Sequence, residues 1–421
     1  MNPVFVGAGP CACPPDGQPQ GVAPTTRVKA AASDLERKME VKFGLFSCDS
    51  HAQLDRDAWT KRMSKEKWGD RMPQIVGVNE DGRTVDRWMV NGKVRSEWVC
   101  NCPAAMEGGV ARGYYPKRWE EVPKIVYDPA ERLTALDDDR VDGEVLYPNG
   151  PVSNFAFLQA DAEFELACVQ AYNDALAEWR EVSERYVPVA IIPYMSDIDV
   201  VVAEVERCVK RGHRGVVMLA EPAFTKKGLK RMNDPFWEPL WACCADLGVP
   251  MHWHGSSGLT EQLSLPKWDR FSKRELHTVS TSRLCATPAQ LIPNLIFSGI
   301  LDRHPRLNWA CAETGFGWVS YVLEASDHEW EQRQLWKEGV KTKPSEVFRR
   351  QIYVDFWYEK AGIELRELVG VDNIMWESDY PHIAATYPKS WSFVEASLAG
   401  VPQDERKKMC YGNAMRLYGL V

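Results

Sequence analysis

The stretch VPMHWHG, residues 249 to 255, joins an apolar run to two histidines at alternate positions, His252 and His254, and ends at a glycine. Residues two apart on a β-strand point to the same side of the sheet. Seven further short apolar segments occur along the chain, and amphipathic segments separate them. They are FGLFSCDSH, RVDGEVLYPNG, YVPVAIIPYM, RGVVMLAEP, RLNWACAETG, RQIYVDFWYE and NIMWESDYPH. This alternation predicts parallel strands joined by helices.

The segments between the predicted strands have helical patterns. AEFELACVQAYNDALAEWREVSERY keeps its apolar residues on one stripe, and DIDVVVAEVERCVKRG begins with an acidic turn and stops at Gly212. Eight strand-and-helix units fit a closed barrel with insertions better than an open sheet. The predicted fold class is therefore α/β, a (β/α)8 TIM barrel with an insertion after strand 1 and an N-terminal extension.

Two regions interrupt the alternation. Residues 1–43 are rich in Pro, Gly and Ala and are predicted to form an irregular N-terminal extension, so that 44–421 forms the barrel domain. Residues 55–127, between the first strand and the first clear helix, are predicted to form a lid over the site or an interface between subunits. This insertion contains Trp59, Trp68, Trp88, Trp98 and Trp119.

Composition narrows the possible partners. The 421 residues include 51 basic and 59 acidic side chains, a net charge of −8, so no electrostatic footprint for nucleic acid or an anionic membrane is present. No apolar run approaches membrane-spanning length, and the first residues lack the pattern of a secretory signal. The twelve cysteines include no CxxC pair. We expect a cytoplasmic protein with a small-molecule substrate.

Polar side chains collect where predicted strands end, which is where barrels of this kind carry their chemistry. Each could have an ordinary structural role, such as capping a helix. Together they would place several unpaired charges close to one another in a buried site, which costs free energy. A divalent cation bound there would remove this cost. Imidazole and carboxylate ligands suit one or two ions of zinc, manganese or iron. These residues are Asp49, His51, His252, His254, Glu313, Asp379 and His382.

Four segments also carry a family resemblance. In order along the chain, CDSHAQLDRDAW, MHWHG, ILDRHPRLNWACAETGFGWVSYVLEASDHEW and IMWESDYPH resemble the signature segments of the amidohydrolase-related branch of the amidohydrolase superfamily, which includes aromatic-acid decarboxylases and hydrolases. The resemblance extends from about residue 44 to the end. It implies a metal-dependent barrel whose first ligand shell is Asp49, His51, His254 and Asp379.

The chain departs from the family pattern at two positions. Gln53 stands where many members have the second histidine of an HxH pair, and Glu313 stands where many have a histidine. The glutamate makes the site richer in carboxylate, and harder ligands favour iron or manganese over zinc. Glu221, at the end of the predicted fourth strand, is where two-metal members place a bridging group, although it could equally be a solvated loop carboxylate.

The predicted reaction is metal-assisted hydrolysis, or non-oxidative decarboxylation, of a small organic acid or amide. Asp379 is a candidate general base as well as a ligand. Glu313 and His252 are candidate catalytic or orienting groups, and further metal ligands. His254 is expected to bind the metal directly, whereas His252 lies about 6 to 7 Å deeper along the strand. His382 is a candidate substrate-binding residue.

Two other functions stay open. A few relatives in this branch are similar in barrel and motifs but use two iron, or manganese and iron, ions to hydroxylate aliphatic carbons with dioxygen, and Glu313 would suit such a monooxygenase. A third reading is a degenerate structural subunit bound to a catalytic paralogue. The expected assembly is accordingly a homo-oligomer or a hetero-oligomer with a paralogous subunit. The number and identity of bound metal ions would separate the three.

Overall fold

The computed structural model describes residues 39–95, 98–149, 157–158, 161–255 and 268–420. Each of the eight predicted strand segments contains a strand, and the third segment contains two. Three further strands lie in the insertion. In chain order the strands are β1 (Phe46–Ala52), β2 (Gln74–Glu80), β3 (Arg83–Val90), β4 (Lys93–Val94), β5 (Gly143–Pro148), β6 (Tyr186–Pro188), β7 (Ala190–Ile191), β8 (Val216–Val217), β9 (Met251–His254), β10 (Trp309–Ala312), β11 (Ile352–Phe356) and β12 (Ile374–Trp376).

The parallel strands pair in chain order. β1, β5 and β6 form one sheet, and β7 to β12 form a second. Between β6 and β7 the ladder is interrupted next to Pro188, which has no N–H group, and Val189 donates to the carbonyl of Leu146 at 3.3 Å. At the other end, Ser50 of β1 forms a parallel bridge with Tyr380, just after β12. The pairings therefore lead from the last strand back to the first.

Helices separate the parallel strands. The longest, α2, keeps the predicted apolar stripe, since Phe164, Leu176 and Trp179 are buried, and the Asp161 side chain caps it by accepting from the Phe164 amide at 2.9 Å. In the described part of the chain, the helices of eight or more residues are α1 (Pro129–Asp139), α2 (Ala162–Val182), α3 (Ile198–Lys210), α4 (Glu238–Leu247), α5 (Lys273–Thr281), α6 (Ala286–Phe297), α7 (Val319–Gln332), α8 (Pro344–Gln351) and α9 (Ser390–Ser397).

Shorter helical turns occur in the loops and near the end of the chain. Among the described residues, none of the helices could span a membrane. The α-helical turns are Lys65–Trp68, Gly109–Arg112, Lys124–Tyr127, Pro222–Thr225, Ile300–Arg303, Ala361–Glu364, Arg366–Val369, Gln403–Lys407 and Asn413–Leu417.

The insertion contains a small antiparallel sheet of β2, β3 and β4. Asp81 and Gly82 turn the chain between β2 and β3, both with positive φ, as a tight hairpin requires. Trp59 is buried in the main core, and its indole N–H donates to the carbonyl of Cys168 in α2 at 3.2 Å. Three of the other four tryptophans are also buried there. The insertion is thus packed into the same core as the parallel strands.

Part of the insertion lies beside the carboxyl ends of β5 and β12. The amide of Ala104 donates to the carbonyl of Pro381 at 3.0 Å, and the Asn149 side chain donates to the carbonyl of Asn101 at 3.3 Å. This position is the one that a lid over the strand ends would take. A role as a lid or as a subunit interface stays a prediction.

The predicted N-terminal extension lies outside the described residues up to residue 38. From there the chain is already held against the strands, because Met39 is buried and four amides from Lys42 to Leu45 donate to the carboxylate of Asp142 at 2.6 to 3.0 Å. Asp142 stands immediately before β5, so it fixes the entry into β1.

Candidate metal centre

Three predicted ligands meet at the carboxyl ends of β1 and β9. The Nε2 atoms of His51 and His254 lie 3.1 Å apart, and the Asp49 carboxylate lies 3.3 Å from His254 Nε2 and 3.6 Å from His51 Nε2. All three residues are buried. One ligand atom from each lies within 4.8 Å of the other two, a separation that one metal ion can span.

A second group adjoins the first at His51. Asp379 Oδ1 lies 3.3 Å from His51 Nε2 and 2.9 Å from His382 Nδ1, and the His382 ring stacks on the His51 ring with centroids 3.7 Å apart. His51, Asp379 and His382 also satisfy the distance condition for a shared ion. The structure therefore brings together Asp49, His51, His254, Asp379 and His382.

The His51 ring is oriented by a backbone carbonyl. Its Nδ1 lies 2.8 Å from the oxygen of Pro148, which can only accept, so Nδ1 carries the hydrogen and Nε2 presents a lone pair to the cluster. Burial lowers the pKa of His51 to about 3, with His382 adding to the effect. His51 is thus the neutral imidazole that a metal ion binds.

The acidic residues of the cluster are poorly compensated by protein groups. Among the described residues, no amide or hydroxyl group donates to the Asp49 carboxylate, and a hydrogen bond with Glu377 lowers its pKa only in part. Burial raises the pKa of Asp49 and of Glu313, and the charge of Asp379 raises both further. For Asp379 itself, burial is outweighed by His382 and His51, which lower its pKa. Uncompensated buried carboxylates are costly, and a cation would stabilise them.

The donor set fits a divalent metal. Two imidazole nitrogens bound to one ion at about 2.1 Å each must lie within about 4.2 Å of each other, and those of His51 and His254 do. Imidazole with carboxylate is a ligand set used for zinc, manganese and iron. Asp49, His51, His254 and Asp379 could hold such an ion.

Glu313 stands at the rim of the cluster. Its Oε2 lies 3.5 Å from His254 Nε2, although it belongs to neither three-residue group. Glu313 and Asp379 both have positive φ, of 56° and 54°, a conformation that costs free energy in residues other than glycine and is concentrated at functional sites. A Cβ atom on Gly255 would lie 2.4 Å from the Glu313 carbonyl, so the chain after His254 requires glycine there.

Comparison with known proteins identifies the family. The amidohydrolase family model matches residues 48–420. The chain belongs to the amidohydrolase family. This confirms the family predicted from the four segments, and the protein is an enzyme of the amidohydrolase superfamily.

Individual relatives of this chain are similar to it at low sequence identity. Gamma-resorcylate decarboxylase of Rhizobium sp. (strain MTP-10005) is 24% identical over 362 residues, which cover 79% of this chain and 99% of that protein. The structure of an amidohydrolase from Mycobacterium avium subsp. paratuberculosis K-10 matches with a TM-score of 0.70 at 21% identity, covering 90% of this chain and 100% of that one. A dihydroxybenzoic acid decarboxylase from Polaromonas sp. JS666, with bound manganese and the inhibitor 2-nitroresorcinol, matches with a TM-score of 0.55 at 21% identity, covering 72% and 89%.

His252 does not reach the cluster in this amidohydrolase. Its Nδ1 lies 2.5 Å from the Tyr147 hydroxyl, and its ring stacks on Tyr418 with centroids 5.7 Å apart. Its Nε2 faces Gly215, where a Cβ atom would lie only 2.3 Å away. The structure thus places His252 outside both ligand groups, in contact with Tyr147, whose ring centroid lies 5.3 Å from that of His254.

Glu221 and His304 have structural partners away from the cluster. Glu221 accepts from the amides of Ala223 and Met232 at 3.3 and 3.2 Å, so it caps a helical turn and belongs to neither ligand group. His304 Nε2 lies 2.8 Å from Glu238 Oε2, which ties α4 to the loop before β10.

Sequence reasoning missed two buried acids beside the cluster. Glu377 accepts from the amide of Glu313 at 2.9 Å, and Asp355 of β11 accepts from the amide of Thr314 at 3.4 Å. Burial raises the pKa of Asp355 to about 8, and raises that of Glu377 with a further contribution from Asp355. The pair holds the segment that carries Glu313. Two features of the sequence could have indicated these acids. Asp355 is a lone acid in an apolar strand, and Glu377 stands two residues before Asp379.

Proposed function

We propose that this amidohydrolase catalyses the non-oxidative decarboxylation of a small aromatic acid at a divalent-metal centre. The observation that carries the proposal is the buried group of Asp49, His51 and His254, which presents two facing imidazole nitrogens and a buried carboxylate whose pKa is raised by burial. We also propose that the parallel strands close into a (β/α)8 barrel. The ring of strand pairings and the similarity to solved amidohydrolase structures support this closure.

The relatives favour decarboxylation over hydrolysis and oxidation. The gamma-resorcylate decarboxylase match spans nearly the whole of that protein, and two structurally similar decarboxylases contain bound manganese. Manganese also suits the carboxylate content of the cluster. We therefore propose one manganese ion, held by Asp49, His51, His254 and Asp379. When bound, such an ion polarises the oxygen atoms of a carboxylate or phenol substrate.

Asp379 and His382 provide a place for a proton. The Asn149 amide group donates to the Asn101 carbonyl, which turns its oxygen towards His382 Nε2 at 3.1 Å, so that Nε2 carries a hydrogen. His382 Nδ1 then faces Asp379 Oδ1 at 2.9 Å. We propose that His382 Nδ1 carries a proton and donates it in a hydrogen bond to Asp379 Oδ1.

We propose that Asp379 passes this proton to the substrate. The proton forms a C–H bond at the ring carbon that carries the carboxylate. The bond from that carbon to the carboxyl group then breaks, its electron pair returns to the ring, and CO2 leaves. His382, which is half-buried, would supply the next proton to Asp379 Oδ1 from the solvent side. No oxidant is consumed.

The test is metal analysis of the purified protein, followed by turnover of 2,6-dihydroxybenzoate, 2,3-dihydroxybenzoate and 5-carboxyvanillate, with CO2 release and loss of substrate both measured. We expect stoichiometric CO2 from at least one acid, loss of activity after chelation, recovery with Mn²⁺, and equal rates with and without dioxygen. His304→Ala, remote from the cluster, is the matched control for His51→Ala. A manganese-loaded protein that releases no CO2 from these acids, or that consumes dioxygen, would overturn the proposal.

A further inference from the structure

The first and last parallel strands meet at a thin seam. β1 and the segment after β12 share a single bridge, with hydrogen bonds from the His51 amide to the Tyr380 carbonyl at 2.7 Å and from the Asp379 amide to the Asp49 carbonyl at 3.0 Å. By contrast, β1 and β5 pair at five positions. Three of the proposed ligands, Asp49, His51 and Asp379, therefore stand on the least extensively paired junction that this strand makes.

One buried guanidinium spans this seam. Arg132 of α1 is fully buried, and its Nε and Nη2 donate to the two carboxylate oxygens of Glu144 on β5 at 2.9 and 2.7 Å. Its Nη1 donates to the carbonyl of His51 at 3.4 Å, and Nη2 also donates to the carbonyl of Tyr380 at 3.3 Å. The guanidinium carbon lies 4.1 Å from the centre of the Tyr380 ring. A single side chain thus contacts β5, β1 and the segment after β12.

Stability is a poor explanation for this arrangement. Taking two charges out of water costs several kcal/mol for each ion, and well-packed apolar pairs are often as stable as buried ion pairs, or more stable. An apolar pair, however, cannot donate hydrogen bonds to two backbone carbonyls that lie a fixed distance apart. Arginine has a rigid planar fork that can. The carbonyls concerned belong to His51 and to Tyr380, which directly follows Asp379.

We propose that Arg132 is a positioning residue of the metal centre. His51 is fixed at its amide by Tyr380, at Nδ1 by Pro148 and at its carbonyl by Arg132. Arg132 thereby sets the relation of the His51 imidazole to the Asp379 carboxylate across the seam. The inference rests on the proposed metal centre, although not on the reaction carried out there.

The experiment measures Mn²⁺ affinity by competition with a chelator, together with the Mn²⁺ electron paramagnetic resonance spectrum. Arg132→Met/Glu144→Leu removes both charges, so the fold keeps no unpaired buried ion. We expect metal affinity to fall about 10-fold or more, the usual effect of losing an outer partner of a ligand, with a broadened spectrum. The matched control is Arg207→Met/Glu204→Leu, which removes another ion pair with a buried glutamate, at 2.8 Å, and should leave Mn²⁺ affinity unchanged.

A second variant covers the case in which the double variant does not fold. Arg132→Lys keeps the positive charge beside Glu144 but lacks the planar guanidinium, whose donors have a fixed geometry. If Arg132 positions His51 and Asp379 through its two hydrogen bonds, Arg132→Lys should bind Mn²⁺ more weakly as well. If only the charge of Arg132 matters, Arg132→Lys should bind Mn²⁺ like the wild type. Wild-type Mn²⁺ affinity in either folded variant would overturn the inference, as would a wild-type protein that binds no Mn²⁺. A wild-type protein that binds Mn²⁺ but releases no CO2 would refute only the proposed reaction.

Discussion

The Nε2 atoms of His51 and His254 face each other at 3.1 Å, and the Asp49 carboxylate lies 3.6 Å from His51 Nε2 and 3.3 Å from His254 Nε2. The Pro148 carbonyl accepts a hydrogen bond from Nδ1 of His51. The lone pair of His51 Nε2 therefore points at the His254 ring. Two ring nitrogens in this relation either share a proton or bind one cation. The adjacent buried carboxylates favour a cation, since a divalent ion compensates them where a single proton cannot.

Removing either ring should remove the metal. In His51→Ala and His254→Ala we expect Mn²⁺ affinity to fall by more than the about 10- to 100-fold typical of losing an outer partner, while the circular dichroism spectrum stays that of the wild type. His304→Ala, whose ring contacts Glu238 instead, should keep full metal content. Metal content by plasma mass spectrometry checks this, and full occupancy in His254→Ala would disprove the ligand assignment.

His252 should behave differently from His254 despite being two residues away. Because it contacts Tyr147 and Tyr418, His252→Ala should keep the metal ion while losing about 2–5 kcal/mol of unfolding free energy, through the cavity and the unpaired Tyr147 hydroxyl. Metal analysis and urea unfolding measure the two effects. Loss of one of two ions in His252→Ala would instead establish a dinuclear site that includes this ring.

Asn149 should affect turnover without affecting the metal. Its oxygen fixes the hydrogen on His382 Nε2, and so the side of His382 that faces Asp379. In Asn149→Ala we expect kcat to fall about 10-fold or more, with unchanged Mn²⁺ affinity and little change in KM. The assay uses whichever acid the wild type decarboxylates. An unchanged kcat would mean that His382 does not relay the proton.

The strands were predictable because each is a short apolar run between amphipathic segments. VPMHWHG contains β9 as Met251–His254, and the other segments also coincide with strands, although β1 continues one residue past its segment to Ala52. The β2–β3 hairpin was missed although NEDGRT holds the Asp-Gly pair that favours tight hairpins. The division of YVPVAIIPYM at Val189 follows from Pro188, which was visible in the sequence but was not used.

The site was predictable only where ligands stand at strand ends in recognisable motifs. Asp49, His51, His254 and Asp379 are such residues, and the structure brings them together. The contact between Arg132 and Glu144 could not be read, because twelve positions separate them on a helix and a strand whose packing is a tertiary property. For the same reason, strand alternation placed His252 on the side of His254 but could not show that Tyr147 lies against it.

Acid stability provides a test on a residue that is not a proposed ligand. His213, between α3 and β8, is fully buried, and its Nδ1 lies 3.1 Å from the Cys208 carbonyl. Burial lowers its pKa from 6.5 to about 4. Of the charged groups around it, Arg207 and Arg211 also act to lower the pKa and Glu204 acts to raise it.

A lowered pKa in the folded state means that the unfolded chain binds more protons between pH 6.5 and about 4. His213 therefore contributes stability that is fully present above pH 6.5 and is lost as the pH falls through this range. The loss amounts to about 3 kcal/mol at most.

His213→Asn tests this contribution, because asparagine keeps a hydrogen-bond donor for the Cys208 carbonyl but cannot titrate. Urea unfolding of metal-free protein at pH 7, 5.5 and 4.5 should show the wild type losing more unfolding free energy than His213→Asn, whereas replacement of the exposed His328 by Asn should change nothing. Parallel pH curves for the wild type and His213→Asn would show that the buried ring is not the group that titrates.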